Sequence, residues 1–130
     1  MHHQKIGPRA EYRQQETLRI QESVSLTDKF RQLKTLTVEL AHYNPGGVIR
    51  SSEVKYTVNL ANAKSVFSFA CPNSECVRGD FDLSGELAEA IAAHRTTSTG
   101  ERVCQGWLNR ATIDTVRCHH ILRYKFSLGY

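Results

Sequence analysis

Four cysteines are the residues of this chain best suited to bind a metal ion. They are Cys71, Cys76, Cys104 and Cys118, and the sequence contains no others. Four thiolates at about 2.3 Å complete the tetrahedral shell that Zn²⁺ prefers, and such ligands usually come from two chain segments that fold towards each other. Here four residues separate the first pair of cysteines and thirteen separate the second pair. We therefore predict one structural zinc ion bound by all four cysteines.

The segment between the first two cysteines has the composition of a tight turn. Pro72 fixes one backbone angle, and Asn73 and Ser74 are residues that turns favour. A turn of this kind can point two sulfur atoms at the same ion.

The sequence leaves two alternatives to a metal site for the cysteines. Four cysteines permit three disulfide pairings, and cysteine also packs as an ordinary small buried thiol. Residues 1–5 contain no apolar run of the secretory kind, so we expect a cytoplasmic location. Cytoplasmic thiols are kept reduced, which favours a metal site over disulfides.

Three histidines are candidate substitutes for a cysteine or candidate neighbours of the site. Strand alternation places His120 on the same face as Cys118 and puts His119 on the opposite face. His94 falls at the end of a predicted helix, where its charge would interact favourably with the helix dipole. Because four cysteines leave a structural zinc ion no open position, each histidine is disfavoured as a ligand.

The hydrophobic periodicity predicts a single α+β domain over residues 25–130. A short N-terminal helix is predicted at residues 25–33, with Ser25 or Thr27 as its cap, and a main helix from about residue 82 to 95. The apolar face of the main helix consists of Leu83, Leu87, Ala90, Ile91 and His94.

Alternating polar and apolar residues predict an antiparallel sheet of about five strands. The predicted strands span residues 34–40, 53–60, 65–71, 101–108 and 119–130, and residues 96–100 are predicted as a loop. Short connections, among them the turn signal at residues 44–47, favour a meander of the first three strands. The residues of the second strand predicted to face inwards are Val54, Tyr56, Val58 and Leu60. Zinc would join the end of the third strand to the last hairpin.

Residues 1–24 differ in composition from the rest of the chain. They are polar and contain too few apolar residues to form a core-facing helix stripe. Residues 1–34 carry seven Lys or Arg against four Asp or Glu, within a net charge of +4. We predict a basic arm that is flexible or that orders on a partner or on a second copy of the chain, giving a homo-oligomer.

Residues 66–124, with their four cysteines and strand pattern, resemble zinc ribbons, in which two cysteine-bearing turns at hairpin ends bind one zinc ion. The resemblance and the basic ends favour a zinc-binding module for RNA, DNA or a nucleoprotein assembly. Three aromatic residues, Tyr12, Tyr43 and Trp107, can stack on bases where they are exposed. The basic residues predicted to contact nucleic acid are Arg102, Arg110, Arg117, Arg123 and Lys125.

Two other classes of function stay open. A protein-interaction module would pair through the N-terminal arm or through an exposed strand edge. A zinc enzyme is less favoured, because the sequence shows no phosphate-binding loop, no Ser/His/Asp set and no catalytic residue that we can name. The one carboxylate cluster, Asp80, Asp82 and Glu86, lies at a predicted helix start, where acids stabilise the helix. No apolar run is long enough to cross a membrane, so no membrane partner is expected.

Overall fold

The computed structural model describes residues 7–108 and 116–130 and confirms an α+β fold with antiparallel sheets. The described helices are α1 (Pro8–Glu22), α2 (Leu26–Lys29) and α3 (Ser84–Ala92). The described strands are β1 (Thr35–Tyr43), β2 (Arg50–Thr57), β3 (Ser68–Ala70), β4 (Cys76–Val77), β5 (Asp80–Asp82), β6 (Thr97–Val103), β7 (Trp107–Leu108), β8 (Val116–Arg117) and β9 (Ile121–Gly129).

The main sheet has four strands in the order β2-β1-β9-β6, where about five were predicted. The predicted turn between β1 and β2 is confirmed, since the amide of Gly47 donates to the carbonyl of Asn44 at 2.9 Å. Gly46 and Gly47 have φ angles of +95° and +74°, which glycine adopts without the strain that other residues would suffer. Strand β9 then lies between β1 and β6 and is antiparallel to both.

The predicted three-strand meander is wrong beyond its first hairpin. Strand β3 leaves the main sheet and pairs with β5 in a separate two-stranded sheet. The segment predicted as one strand over residues 101–108 is two strands, because the chain turns at residues 104–106 to bring Cys104 to the other cysteines. Strand β6 begins at Thr97, inside the predicted loop. It is an edge strand whose residues are exposed or half-buried. Its sequence therefore lacks the alternation of apolar and polar residues by which strands are predicted.

The core lies between the inner face of the main sheet and helices α2 and α3. Four residues of the predicted apolar face of α3 are buried, whereas His94 is exposed, because the helix ends at Ala92. Ser25 caps α2 as predicted, its hydroxyl accepting from the amide of Asp28 at 3.2 Å. The buried residues of β1, β9, α2 and α3 in this core are Leu36, Val38, Leu40, Leu122, Tyr124, Phe126, Leu128, Leu26, Leu87, Ala90 and Ile91.

Strand β2 is less buried than its apolar pattern predicts. Val54 and Tyr56 lie in register with the buried residues Leu40 and Val38 of β1. Their side chains are nevertheless 48% and 39% exposed. Strand β2 therefore extends the main sheet beyond the elements that cover its inner face.

Helix α1 occupies most of the predicted basic arm. No residue of this helix is buried, in keeping with its few apolar side chains. Pro8 stands at its start, where the missing amide proton of proline costs nothing. The ordering of residues 1–24 on a partner stays a prediction. Among the helices of residues 7–108 and 116–130, none is long and apolar enough to cross a membrane.

Candidate metal centre

The sulfur atoms of the four cysteines meet at one point in the structure. All four Sγ atoms lie within 4.8 Å of one another, and no cysteine is more than 2% exposed. The Sγ atoms of Cys71 and Cys118 are 3.7 Å apart, and those of Cys76 and Cys104 are 3.6 Å apart. A tetrahedral site with bonds of about 2.3 Å has sulfur–sulfur edges of about 3.8 Å. The cluster therefore has the dimensions to hold a metal ion.

These distances are not those of disulfides. An S–S bond is about 2.05 Å long, and all four cysteines are free thiols in the structure. The disulfide alternative is thus wrong for this structure. The four cysteines predicted to bind a metal ion all belong to one cluster.

The cysteines lie where the three sheets meet. Cys71 follows β3, Cys76 begins β4, Cys104 follows β6 and Cys118 follows β8. The amide of Cys71 donates to the carbonyl of Gly79 at 2.8 Å, and that of Cys76 donates to Asn73 at 3.0 Å. On the other side, the amide of Cys104 donates to His120 at 2.7 Å. These backbone hydrogen bonds help to position the three cysteines for the cluster.

Asn73 stabilises the turn formed by residues 71–76, as its residue type predicted. Its side-chain oxygen accepts a hydrogen bond from the amide of Glu75 at 3.1 Å. Its side-chain nitrogen lies 3.7 Å from the sulfur of Cys118 and donates to it. Asn73 thus connects the first cysteine turn to the second pair of cysteines.

Two glycines allow the backbone to approach the sulfur atoms. A methyl group at Gly79 would overlap the sulfur of Cys76 and lie 2.8 Å from that of Cys104. A methyl group at Gly106 would lie 2.5 Å from the sulfur of Cys76. The amide of Gly106 instead donates to the sulfur of Cys104 at 3.4 Å. Sequence reasoning missed both residues, although each stands within three positions of a cysteine.

Arg9 of α1 binds the outside of the 71–76 turn. Its guanidinium donates to the carbonyl oxygens of Cys71 at 3.0 Å, Asn73 at 2.9 Å and Cys76 at 2.7 Å. These bonds place a positive charge beside a cluster that would carry a net charge of −2 with one Zn²⁺ and four thiolates. Further along α1, Tyr12 and Arg13 both donate to the carboxylate of Asp80.

The thiols of the cluster shift one another's pKa. Burial, followed by the hydrogen bond with Cys104, raises the pKa of Cys76 to about 12. The hydrogen bond with Cys104, followed by burial, raises the pKa of Cys71 well above its ordinary value. The hydrogen bond from Cys71 in turn lowers the pKa of Cys104. The buried thiols therefore disfavour ionising together, and a divalent cation would offset the repulsion among four thiolates.

Comparison of the chain with protein-family models, with curated proteins and with solved structures gives no match. The site's own residues are therefore the basis for its chemistry, since a fold does not by itself imply a function.

The three candidate histidines lie in different environments. His120 is a neighbour of the cluster, with its Nδ1 atom 3.4 Å from the sulfur of Cys118. His119 is exposed. His94 stacks on Tyr130, with ring centroids 4.4 Å apart. Of these, His120 alone is in a position to influence the metal site.

The predicted carboxylate cluster is divided among separate contacts. Asp80 accepts hydrogen bonds from α1, and Asp82 accepts from the amide of Ser84 at 3.0 Å near the start of α3. Glu86 forms an ion pair with Arg102. Asp82 and Glu86 lie near the start of α3, as predicted. Asp80 instead lies at the start of β5 and binds α1.

The basic residues predicted to contact nucleic acid lie on different elements. Arg123 donates to Glu101 at 2.8 Å and lies over the Tyr43 ring at 4.4 Å, whereas Arg117 donates to the carbonyl of Gln105 at 2.9 Å. Lys125 faces Glu39 across the main sheet, and Arg102 is paired with Glu86 as described above. Arg110 lies outside the described residues.

A groove between α1 and the small sheet brings together two of the three aromatic residues singled out in the sequence. Tyr12 and Trp107 line this groove of about 170 Å³. The Arg78 guanidinium lies 5.7 Å from the centre of the Tyr12 ring, and Arg117 pairs with Trp107 across β7 and β8. Arg78 is not among the residues predicted to contact nucleic acid, because its position beside Tyr12 depends on how α1 packs. The residues lining the groove are Pro8, Glu11, Tyr12, Gln15, Val77, Arg78 and Trp107.

Proposed function

We propose that this chain is a non-catalytic domain in which one structural zinc ion is bound by Cys71, Cys76, Cys104 and Cys118. The proposal rests on the four buried sulfur atoms within 4.8 Å of one another. Thiolate ligands favour Zn²⁺ over hard ions such as Mg²⁺ or Ca²⁺. Four protein ligands fill a tetrahedral shell, and a zinc site that binds and activates water normally keeps one position open. This geometry argues against the zinc-enzyme alternative.

The arrangement of the small sheet supports a likeness to zinc ribbons. Strands β4, β7 and β8 form a three-stranded antiparallel sheet beside the cluster. Cys76 opens β4, Cys104 stands shortly before β7, and Cys118 directly follows β8. Strand β5, helix α3 and strand β6 lie between the two pairs of cysteines, which is a departure from a simple ribbon.

The surface function that we propose is binding of a single-stranded segment of RNA or DNA, alone or in a nucleoprotein assembly. Its support is the groove of Tyr12, Arg78 and Trp107, with Arg117 opposite Trp107. Aromatic rings stack on bases, and arginine adds phosphate attraction and stacking. Glu11 also lines the groove, so its carboxylate is expected to weaken phosphate binding at that end.

The zinc proposal is tested by elemental analysis together with a free-thiol count. We expect one zinc ion per chain and thiols that react only after a chelator has removed the metal. A metal-free protein with four reactive thiols, or three protein ligands with a bound water, would contradict the structural-zinc assignment.

The nucleic-acid proposal is tested through Trp107, because the chain contains one tryptophan. Short single-stranded RNA and DNA oligonucleotides should quench its fluorescence, and the affinity should fall steeply with added salt. Arg78→Gln should weaken binding about tenfold. Arg50→Gln, on the exposed strand β2, is the matched control and should leave the affinity unchanged. Absence of quenching at low salt, or an equal effect of both substitutions, would refute the groove as the binding surface.

The protein-interaction alternative has one specific observation in its favour, which is the exposure of β2 at the edge of the main sheet. An unpaired strand edge is a template for pairing with another chain.

A further inference from the structure

Strand β2 presents a complete edge to solvent. Among the described strands it has one neighbour, β1, and all eight of its residues are exposed. Every second backbone amide and carbonyl of such a strand points away from the sheet and can pair with another strand. Val54 and Tyr56 add exposed apolar surface on the inner face of this edge. Natural proteins usually protect long edges of this kind, which makes an uncovered one a candidate interface.

The outer face of the main sheet carries charges of alternating sign that end at β2. Lys125 of β9 is in register with Glu39 of β1, and Glu39 is in register with Lys55 of β2. The Lys55 ammonium lies 3.9 Å from the Glu39 carboxylate. The next position in this row, beyond the edge of the sheet, would therefore be filled most favourably by an acid.

We infer that a second copy of this chain pairs antiparallel with β2 about a two-fold axis at Val54. In that register Val54 faces Val54 of the other copy, and Ser52 faces Tyr56. Glu53 of each copy then faces Lys55 of the other copy. The alternating row of charges continues across the interface, because the acid that the edge lacks is supplied by the other copy's Glu53. Within its own chain Glu53 also forms an ion pair with Arg50, so it would be shared between Arg50 and the other copy's Lys55.

Other nearby positions of the axis lose this complementarity. An axis at Glu53 places two glutamates opposite each other, and an axis at Lys55 places two lysines opposite each other. Axes at Ser52 or Tyr56 leave Glu53 and Lys55 facing uncharged residues. Like charges directly opposite destabilise a strand pair, and opposite charges stabilise it. The charge pattern therefore selects the axis at Val54.

The same register also extends the inner face of the sheet. Val54 continues the row formed by Tyr124 and Leu40, which are in register on β9 and β1. Pairing would place the other copy's Val54 next in that row and join the two four-stranded sheets into one. This surface is separate from the groove at α1, so dimerisation and nucleic-acid binding can succeed or fail independently.

The inference is tested by sedimentation velocity on the wild-type chain and on two charge-reversed variants. In Glu53→Lys the two interfacial pairs become lysine facing lysine, and in Lys55→Glu they become glutamate facing glutamate. Each variant alone should dimerise about tenfold or more weakly than the wild type. An equimolar mixture of the two should form a heterodimer, because lysine then faces glutamate in both pairs. Thr97→Lys, on the opposite edge strand β6, is the matched control and should dimerise like the wild type.

Circular dichroism on each variant establishes that it is folded. Folded single variants that stay monomeric when mixed would refute the Val54 register. A wild-type chain that is monomeric at every concentration would refute self-pairing and leave the edge to a strand of a different protein. Loss of dimer in Thr97→Lys but not in Glu53→Lys would place the interface on the other edge of the sheet.

Discussion

Arg9 offers the sharpest test of how the metal centre is supported, because it binds no sulfur and yet contacts the turn that carries two of them. Its three hydrogen bonds reach carbonyl oxygens at 2.7–3.0 Å. A hydrogen bond to a charged group contributes about 1.5–3 kcal/mol. Because Arg9 is half-buried and water can replace part of its bonding, we expect Arg9→Met to cost about 2 kcal/mol in total. If this stabilisation of about 2 kcal/mol acts on the 71–76 turn in the zinc-bound state alone, the substitution lowers the zinc affinity about thirtyfold. This is within the range found for residues that support metal ligands.

The matched control for this experiment lies on the same helix. Arg19 is paired with Glu16 at 2.8 Å and with Asp82 at 3.4 Å, and it has no hydrogen bond to the 71–76 turn. Arg19→Met removes the same charge from α1 without removing contacts to that turn. Zinc affinity is measured by competition with a chromogenic chelator, and helix content by circular dichroism. Arg9→Met should also lower the helix content, because α1 buries no residue and an isolated helix of its length is marginal.

The reasoning would be refuted by an Arg9→Met protein that binds zinc as tightly as the wild type. Equal losses in Arg9→Met and Arg19→Met would also refute it, because the effect would then come from the general charge of α1.

Three further outcomes are expected. Cys104→Ser should abolish folding or solubility. A structural zinc site contributes about 10–16 kcal/mol, whereas the free energy of unfolding of a whole domain is about 5–15 kcal/mol. A variant that melts at the same temperature as the wild type would contradict this expectation. Gly79→Ala should lower the free energy of unfolding by about 1–3 kcal/mol through overlap with a sulfur atom, whereas Gly85→Ala, with open space at its Cβ position, should be neutral or slightly stabilising in denaturant titrations. Burial, followed by the charge of His120, lowers the pKa of His42 in the folded protein. As the pH drops below about 6.5, the His42 side chain is therefore protonated in the unfolded chain before it is protonated in the folded protein. The free energy of unfolding then falls by at most about 1.4 kcal/mol per pH unit. His42→Leu should flatten that part of the pH profile, and an unchanged profile would show that His42 does not contribute to it.

The parts of the fold that the sequence predicted correctly are those encoded by local patterns. The β1–β2 hairpin follows from two adjacent strand patterns and a glycine-containing turn, and α3 follows from its apolar spacing. The four cysteines were identifiable because thiols are scarce and chemically distinctive. Whether their metal is zinc stays a prediction, since geometry alone fits other ions that accept four thiolates.

The errors came from features that depend on distant partners. Among the strands that the structure describes, β6 pairs only with β9, and its polar residues give no periodic signal. Val54 and Tyr56 occupy positions that the alternating pattern predicts to face inwards. The local sequence does not indicate that the helices covering the inner face of the sheet stop short of β2. Arg9 is one of many arginines in the sequence, and its role depends on three carbonyl oxygens more than sixty residues away. Gly79 and Gly106 became recognisable as necessary only when the backbone was seen beside the sulfur atoms.

The position of β9 in the main sheet has a consequence for how the protein is made. A nascent chain leaving the ribosome completes β1 and β2 before β6, and β6 before β9. Neither β1 nor β6 can gain its β9 neighbour until Ile121–Gly129 has emerged, and Cys118 is synthesised just before that strand. The apolar inner face of β1 must therefore wait, incompletely paired, until β9 has been synthesised. We expect the chain to depend most on chaperones during this interval. We also expect zinc to have the least influence on folding during it, because Cys118 has not yet been synthesised.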